Sequence, residues 1–130
     1  MSASPASGDA AVATTPTVRC VDQVELLLRR LSLNDERSVE MVLLHGHDLE
    51  RGPVLMPKVD RLVRLGALLA LGAATSSLRS TVERAREAGA SDDEIVGVLV
   101  AVAPAIGLAR VVSTAPRLAS AIGYDIHQDE

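Results

Sequence analysis

Apolar side chains recur every three or four residues along most of the chain beyond residue 17, which is the spacing of an amphipathic α-helix. No stretch alternates apolar and polar residues for long enough to predict a β-strand. Caps, glycines and prolines divide the pattern into segments that begin near residues 18, 35, 57, 75, 92 and 108. The pattern therefore predicts an all-α fold with about six helices.

Several local signals predict how these helices start, end and pack. The segment Val59–Leu71 is apolar almost all round, so we expect it at the centre of a helical bundle. Residues 91–94, Ser-Asp-Asp-Glu, form a capping box that opens the fifth helix. Pro104 and Gly107 are predicted to end that helix, and Pro116 is predicted to bend the sixth.

Composition favours a single compact domain. A chain of 130 residues that is 48% hydrophobic is large enough for one core. The Ala-, Ser-, Pro- and Thr-rich residues 1–16 are typical of a flexible tail, so we expect the domain to span residues 17–130. The net charge of −4 and a single aromatic residue, Tyr124, argue against nucleic acid as a partner.

The single cysteine limits the possible redox and metal chemistry, and the short apolar runs indicate where the protein is located. Cys20 is the single cysteine, which excludes an intrachain disulfide and a Cys-x-x-Cys redox or zinc motif. The longest apolar run, residues 65–74, is half of the roughly 20 residues that span a bilayer. The opening residues also lack the basic and apolar regions of a secretory signal. We therefore expect a soluble, cytoplasmic protein with no membrane partner.

Motifs for nucleotide binding and for a hydrolase nucleophile are absent from the sequence. The residue types that bind metals occur together at His45, His47 and Asp48. Residues two apart, however, point to different sides of a helix. Histidines at the carboxyl end of a helix, near its free carbonyl groups, are the favoured interpretation. We expect neither a metal nor another cofactor.

Two polar stripes remain as candidate binding surfaces. Ser77, Thr81 and Arg84 follow one another at helical spacing on the fourth helix. The second stripe, on the sixth helix, consists of Arg110 and Arg117, seven residues apart, with Ser113 and Thr114 between them. Such a stripe is by default a solvated helix face. The alternative is that it borders a pocket or a subunit interface.

The sequence from residue 55 to residue 125 resembles the carboxymuconolactone decarboxylase family, which includes the alkylhydroperoxidase D branch. The most specific part of the resemblance is AGASDDEIVGVL followed by APAIGLARVV. The resemblance implies an alkylhydroperoxidase D-like helical bundle that assembles as a homo-oligomer, preferably a trimer or a hexamer, with pockets near subunit contacts. The first fifty residues match no pattern of this family.

The resemblance also implies where reactive groups are expected. The redox branch carries Cys-x-x-Cys followed four residues later by His, and these positions fall on Ala74, Ser77 and Thr81. All three functional residues are missing, so thiol peroxidase activity is not expected. Thr81 does not titrate near neutral pH and therefore cannot replace the His as a proton carrier, although its hydroxyl can still donate a hydrogen bond.

Three functions stay open at this point. The first is a cofactor-independent, decarboxylase-type lyase that acts on a small carboxylated or lactone-like metabolite, with Thr81 as the catalytic residue and Ser77, Arg84, Arg110 and Ser113 binding the substrate. The second is a non-catalytic family member that serves as a binding or assembly protein. The third is a peroxidase that uses Cys20 without a partner thiol. The substrate, the reaction and the role of the two histidines are not specified by the sequence.

Overall fold

A computed structural model describes residues 23–47, 52–124 and 126, and within these ranges it contains helices and no β-strand. The first helix, α1, covers residues 23–32 of the described chain. The helices that follow are α2 (Glu36–His45), α3 (Pro57–Leu71), α4 (Thr75–Glu87), α5 (Asp92–Ile106) and α6 (Leu108–Ile122). The predicted all-α fold is confirmed.

The chain divides into two compact units, Met1–Val54 and Leu55–Glu130. The first contains α1 and α2, and the second contains α3 to α6. The predicted tail, residues 1–16, and Cys20 lie outside the described residues. A single domain over residues 17–130 stays a prediction.

In the first unit, Asp35 caps α2. Ser38 donates hydrogen bonds from its backbone amide and its hydroxyl to Oδ2 of Asp35, at 3.1 and 2.7 Å. These bonds favour the ionised carboxylate and lower the pKa of Asp35. Asp35 is thus the N-cap residue of α2. The helix ends at Gly46, whose φ of 71° is easily adopted by glycine.

The core of the second unit lies where α3, α4, α5 and α6 pack against one another. Its fully buried side chains are aliphatic, as expected for a chain without Phe or Trp, with the exception of Thr114 on α6, whose hydroxyl has no hydrogen-bond partner among the described residues. They include Leu65 and Leu69 from α3, Leu78 and Val82 from α4, and Ile95 from α5. The side chains that follow the 3.6-residue period on α4 are therefore buried as predicted.

Two expectations about the second unit were wrong. Helix α3 is not enclosed on all sides, because Val63 and Leu71 are 57% and 76% exposed. An apolar helix needs neighbours around its whole circumference to be buried, and within this unit α3 packs on α4 and α5. Pro104 does not end α5 either, since the helix continues to Ile106, whereas Gly107 caps its end as predicted, with a φ of 84°.

Polar contacts fix how α3 and α5 begin. The predicted capping box is confirmed, with the amide of Glu94 donating to the Ser91 hydroxyl at 3.1 Å and the amide of Ser91 donating to Glu94 Oε1 at 3.0 Å. Lys58 near the start of α3 also pairs with Glu94, at 3.1 Å. Both helices therefore start from the same end of the unit.

None of the helices in the described residues combines the length and the apolar character that crossing a membrane requires.

Candidate anion-binding site

A cleft of about 330 Å³ opens between α3 and α4 in the second unit. Its walls carry three arginine side chains and one hydroxyl, and its apolar lining comes from small and aliphatic side chains. The lining residues are Arg61, Arg64, Ala67, Leu68, Thr81 and Arg84. We refer to this site as the arginine cleft.

Helix α3 presents two of the three guanidinium groups. Arg61 and Arg64 are three residues apart, so they lie on neighbouring positions of one helix face. Asp60 lies beside both: Arg64 Nε donates to Asp60 Oδ2 at 2.9 Å, and Arg61 Nη1 lies 3.8 Å from the same oxygen. One carboxylate oxygen therefore serves both arginines of α3.

Helix α4 presents the other two polar groups of the cleft. Thr81 and Arg84 are three residues apart, which places them on one side of the helix. The adjacent side of α4 carries Leu78, Val82 and Ala85 into the core and so fixes the rotation of the helix. Among the described residues, the Arg84 side chain has no ion pair or hydrogen bond, which leaves its donors available to a ligand.

The arginine cleft has the properties of a site for a small anion. Three guanidinium groups and one nearby carboxylate leave an excess of positive charge at its mouth. Guanidinium groups bind carboxylates through paired, charge-assisted hydrogen bonds. The volume lies at the small end of the range for small-molecule sites, about 300–1,000 Å³. The arrangement therefore suits a compact acid with an apolar body.

The structure separates the residues that the sequence proposed for one site. Thr81 and Arg84 line the arginine cleft, and Ser77 is exposed on α4 and is not among the lining residues. Ser113 is exposed and donates its hydroxyl to the carbonyl oxygen of Arg110 at 3.1 Å. Neither of these two α6 residues lines the cleft.

The α6 arginines contact the end of α3 instead. Arg117 Nη1 donates to the carbonyl oxygens of Gly72 and Ala73, at 3.0 and 3.4 Å. The guanidinium group of Arg110 lies so close to Gly72 that a side chain at that position would collide with it. Cations are favourable at the carboxyl end of a helix, so Arg117 stabilises the α3–α4 turn, and Arg110 lies beside this turn.

Comparison of the sequence with known families finds one match. The model of the carboxymuconolactone decarboxylase family matches residues 39–120, which is more than half of the 130-residue chain. The match begins within the first fifty residues, so the expectation that this segment matches no pattern of the family was wrong for residues 39–50. The chain belongs to the carboxymuconolactone decarboxylase family. No curated protein and no solved structure matches it significantly. The family match includes every lining residue of the arginine cleft.

Family membership allows residues of this chain to be compared with the three positions that the redox branch uses. Of the three positions that the redox branch uses, Ala74 is the residue before α4, Ser77 is exposed and Thr81 lines the cleft. The position where the family resemblance places a histidine thus carries a hydroxyl beside three arginines. The match itself specifies neither a substrate nor an activity for this chain.

Sequence reasoning missed Arg61 and Arg64. The available signal was a pair of cations, three residues apart, on a helix that is otherwise mostly apolar. The all-round apolar pattern drew attention to the core instead. The two arginines become site residues only because α3 packs beside α4 and brings them next to Thr81 and Arg84.

Proposed function

We propose that the arginine cleft binds a small carboxylated or lactone-like metabolite and that the protein is a cofactor-independent, decarboxylase-type lyase. The observation that carries the proposal is the convergence of Arg61, Arg64, Arg84 and the Thr81 hydroxyl on one cleft with an apolar lining. Membership of the carboxymuconolactone decarboxylase family supports the same substrate chemistry.

Arg84 is the group we assign to the first contact with the substrate. Its side chain has no counter-ion among the described residues, whereas both α3 arginines lie beside Asp60. A carboxylate that pairs with Arg84 gains two parallel hydrogen bonds and displaces no protein carboxylate. Thr81, three residues earlier on α4, then supplies a donor to a neighbouring oxygen of the same substrate.

The proposed chemistry is loss of CO₂ from an acid whose carboxylate is separated by one carbon from a carbonyl or lactone group. The carbon–carbon bond to the carboxylate breaks, and its electron pair moves onto the carbonyl oxygen to form an enolate. Donors placed at that oxygen lower the barrier because they stabilise charge that is larger in the transition state than in the substrate. Thr81 and one guanidinium group of the cleft fill this role.

Protonation of the enolate carbon completes the reaction. The lining of the arginine cleft contains no Asp, Glu or His, and a threonine hydroxyl does not titrate near neutral pH. We therefore assign the final proton to water. This assignment separates the proposal from a mechanism in which a histidine acts as general acid.

Two substitutions on α4 test the proposal, with a third as a matched control. Arg84→Gln removes the unpaired guanidinium, Thr81→Val removes the hydroxyl at similar volume, and Arg79→Gln removes an exposed arginine of the same helix that does not line the cleft. Binding of 2-furoate, a small ring carboxylate, is measured by calorimetry. We expect Arg84→Gln to weaken binding by about tenfold and Arg79→Gln to have little effect.

Release of CO₂ from a panel of small lactone and β-keto acids then tests catalysis. We expect turnover by the parent and a larger loss of kcat than of affinity in Thr81→Val, since its hydroxyl acts at the enolate oxygen. Carboxylate binding without turnover of any acid would support the non-catalytic binding protein instead. Equal binding by the parent and Arg84→Gln would contradict the site.

Self-assembly and location belong to the same proposal. Large aliphatic side chains are exposed on three helices of the second unit: Leu71 on α3, Val100 on α5, and Leu108 and Val112 on α6. Exposed apolar surface of this extent is typical of an interface. We propose a cytoplasmic homo-oligomer, with a trimer or a hexamer preferred.

A further inference from the structure

Asp60 is the one described carboxylate that pairs with arginines of the arginine cleft. Its Oδ2 atom accepts a hydrogen bond from Arg64 at 2.9 Å and lies 3.8 Å from Arg61 Nη1. Its side chain is 26% exposed, less than that of either arginine. Asp60 itself does not line the cleft, but its carboxylate already pairs with guanidinium groups to which an acidic ligand would bind.

We infer that Asp60 determines charge specificity in this cleft, as an internal counter-ion that competes with the ligand for the α3 arginines. The inference rests on the proposed function of the cleft as a carboxylate site. Asp60 acts through Arg61 and Arg64, so it is a specificity-determining residue and not a catalytic one. Its effect is to disfavour acids with two negative charges more than acids with one.

The physical reason is repulsion between like charges. A ligand with one carboxylate pairs with Arg84 on α4, which has no counter-ion among the described residues. A second carboxylate on the ligand has to pair with Arg61 or Arg64 on α3, next to the negative charge of Asp60. Repulsion at this short distance lowers the affinity, because a partly exposed cleft screens charges less than bulk water does.

If Asp60 had a purely structural role, its removal would not strengthen ligand binding. The hydrogen bond from Arg64 Nε to Asp60 spans one helical turn. Asp60 also lies in the first turn of α3, where a negative charge interacts favourably with the helix dipole. If Asp60 served only to hold Arg64 in place or to stabilise α3, its removal would weaken binding of all acids or leave it unchanged. An internal competitor makes its removal strengthen binding.

The test compares two ring acids that differ by one carboxylate, 2-furoate and furan-2,5-dicarboxylate. Calorimetric titrations are made with the parent, Asp60→Asn and Asp93→Asn. Asp93 is a matched control, since it is an exposed aspartate in the first turn of α5 and does not line the cleft. We expect Asp60→Asn to tighten binding of the dicarboxylate by about tenfold and of 2-furoate by about threefold or less.

Two further measurements identify the cause. The gain in Asp60→Asn should shrink at high salt, because screening weakens interactions between charges. It should also shrink in the double variant Asp60→Asn/Arg64→Gln, because Asp60 acts through Arg64. If Asp60→Asn unfolds, as thermal melting would show, Asp60→Ser provides the same loss of charge.

The outcomes separate this inference from the function on which it rests. If the parent binds 2-furoate through Arg84 but Asp60→Asn gains no more than Asp93→Asn, the role of Asp60 is wrong and the carboxylate site stands. If the parent binds neither acid, the carboxylate site itself is wrong, and the role of Asp60 is rejected with it.

Discussion

Arg86 and Asp92 are joined by two hydrogen bonds to one carboxylate oxygen, from Nε at 3.0 Å and from Nη2 at 2.8 Å. The same Nη2 atom donates to the carbonyl oxygen of Ile122 at 2.9 Å. Arg86 lies near the end of α4, Asp92 begins α5 and Ile122 ends α6. One guanidinium group thus connects three helices at one end of the second unit.

We predict that Arg86→Gln lowers the free energy of unfolding by about 1 kcal/mol, because the carbonyl of Ile122 and the carboxylate of Asp92 both lose a donor. The ion pair contributes little of this amount, since both side chains are more than a third exposed. Urea unfolding measures the change. Arg79→Gln, an exposed arginine on the same helix, should change stability by less than about 0.5 kcal/mol.

Two substitutions of glycine by alanine should have opposite effects on the stability of the protein. Gly72 has a φ of 70° and contacts the Arg110 guanidinium, so Gly72→Ala should destabilise the protein by about 1–2 kcal/mol. Gly97 lies inside α5 with no atom near the position of an added Cβ, so Gly97→Ala should stabilise the protein by about 0.5–1 kcal/mol. Thermal unfolding of the two variants checks both signs, and a destabilised Gly97→Ala would contradict the open environment of that residue.

The capping box makes stability depend on pH. The backbone amide of Ser91, and then Lys58, lower the pKa of Glu94 below the ordinary value of a glutamate. The contribution of Glu94 is therefore present above the ordinary glutamate pKa, about 4.3, and is lost as the pH falls through the lowered pKa of the folded protein. Glu94→Gln should be less stable than the parent at neutral pH and should lose less stability on acidification.

Urea midpoints measured between about pH 7 and about pH 3 test this dependence. Glu87→Gln is the control, because Glu87 is an exposed carboxylate at the end of α4 that does not cap a helix. A parent and a Glu94→Gln variant that lose stability in parallel would contradict the prediction.

Light scattering tests the proposed assembly. A homo-oligomer should give a mass that is a multiple of 13.6 kDa, with three or six copies preferred. The variant Leu108→Gln replaces a side chain that is 79% exposed, so a loss of mass without unfolding would place α6 at an interface. A parent mass near 13.6 kDa at micromolar concentration would rule out stable assembly.

The helices and their ends were predictable from the sequence because the interactions that form them are local. The capping box joins Ser91 to Glu94, three positions later in the chain. The aliphatic stripe of Leu78, Val82 and Ala85 spans two helical turns. Hydrogen bonds and side-chain contacts at this range depend on a few neighbours in the chain. The resemblance that led to the family also lies in such contiguous segments.

The tertiary structure decided which of these residues share a site. Thr81 and Arg84 were candidates in the sequence, but their neighbours Arg61 and Arg64 come from another helix, and Ser77, Arg110 and Ser113 lie outside the cleft. The apolar pattern of α3 likewise did not specify which of its sides is covered. The choice depends on how the side chains of two helices interlock, which involves residues far apart in the chain and leaves no periodic trace in either helix alone.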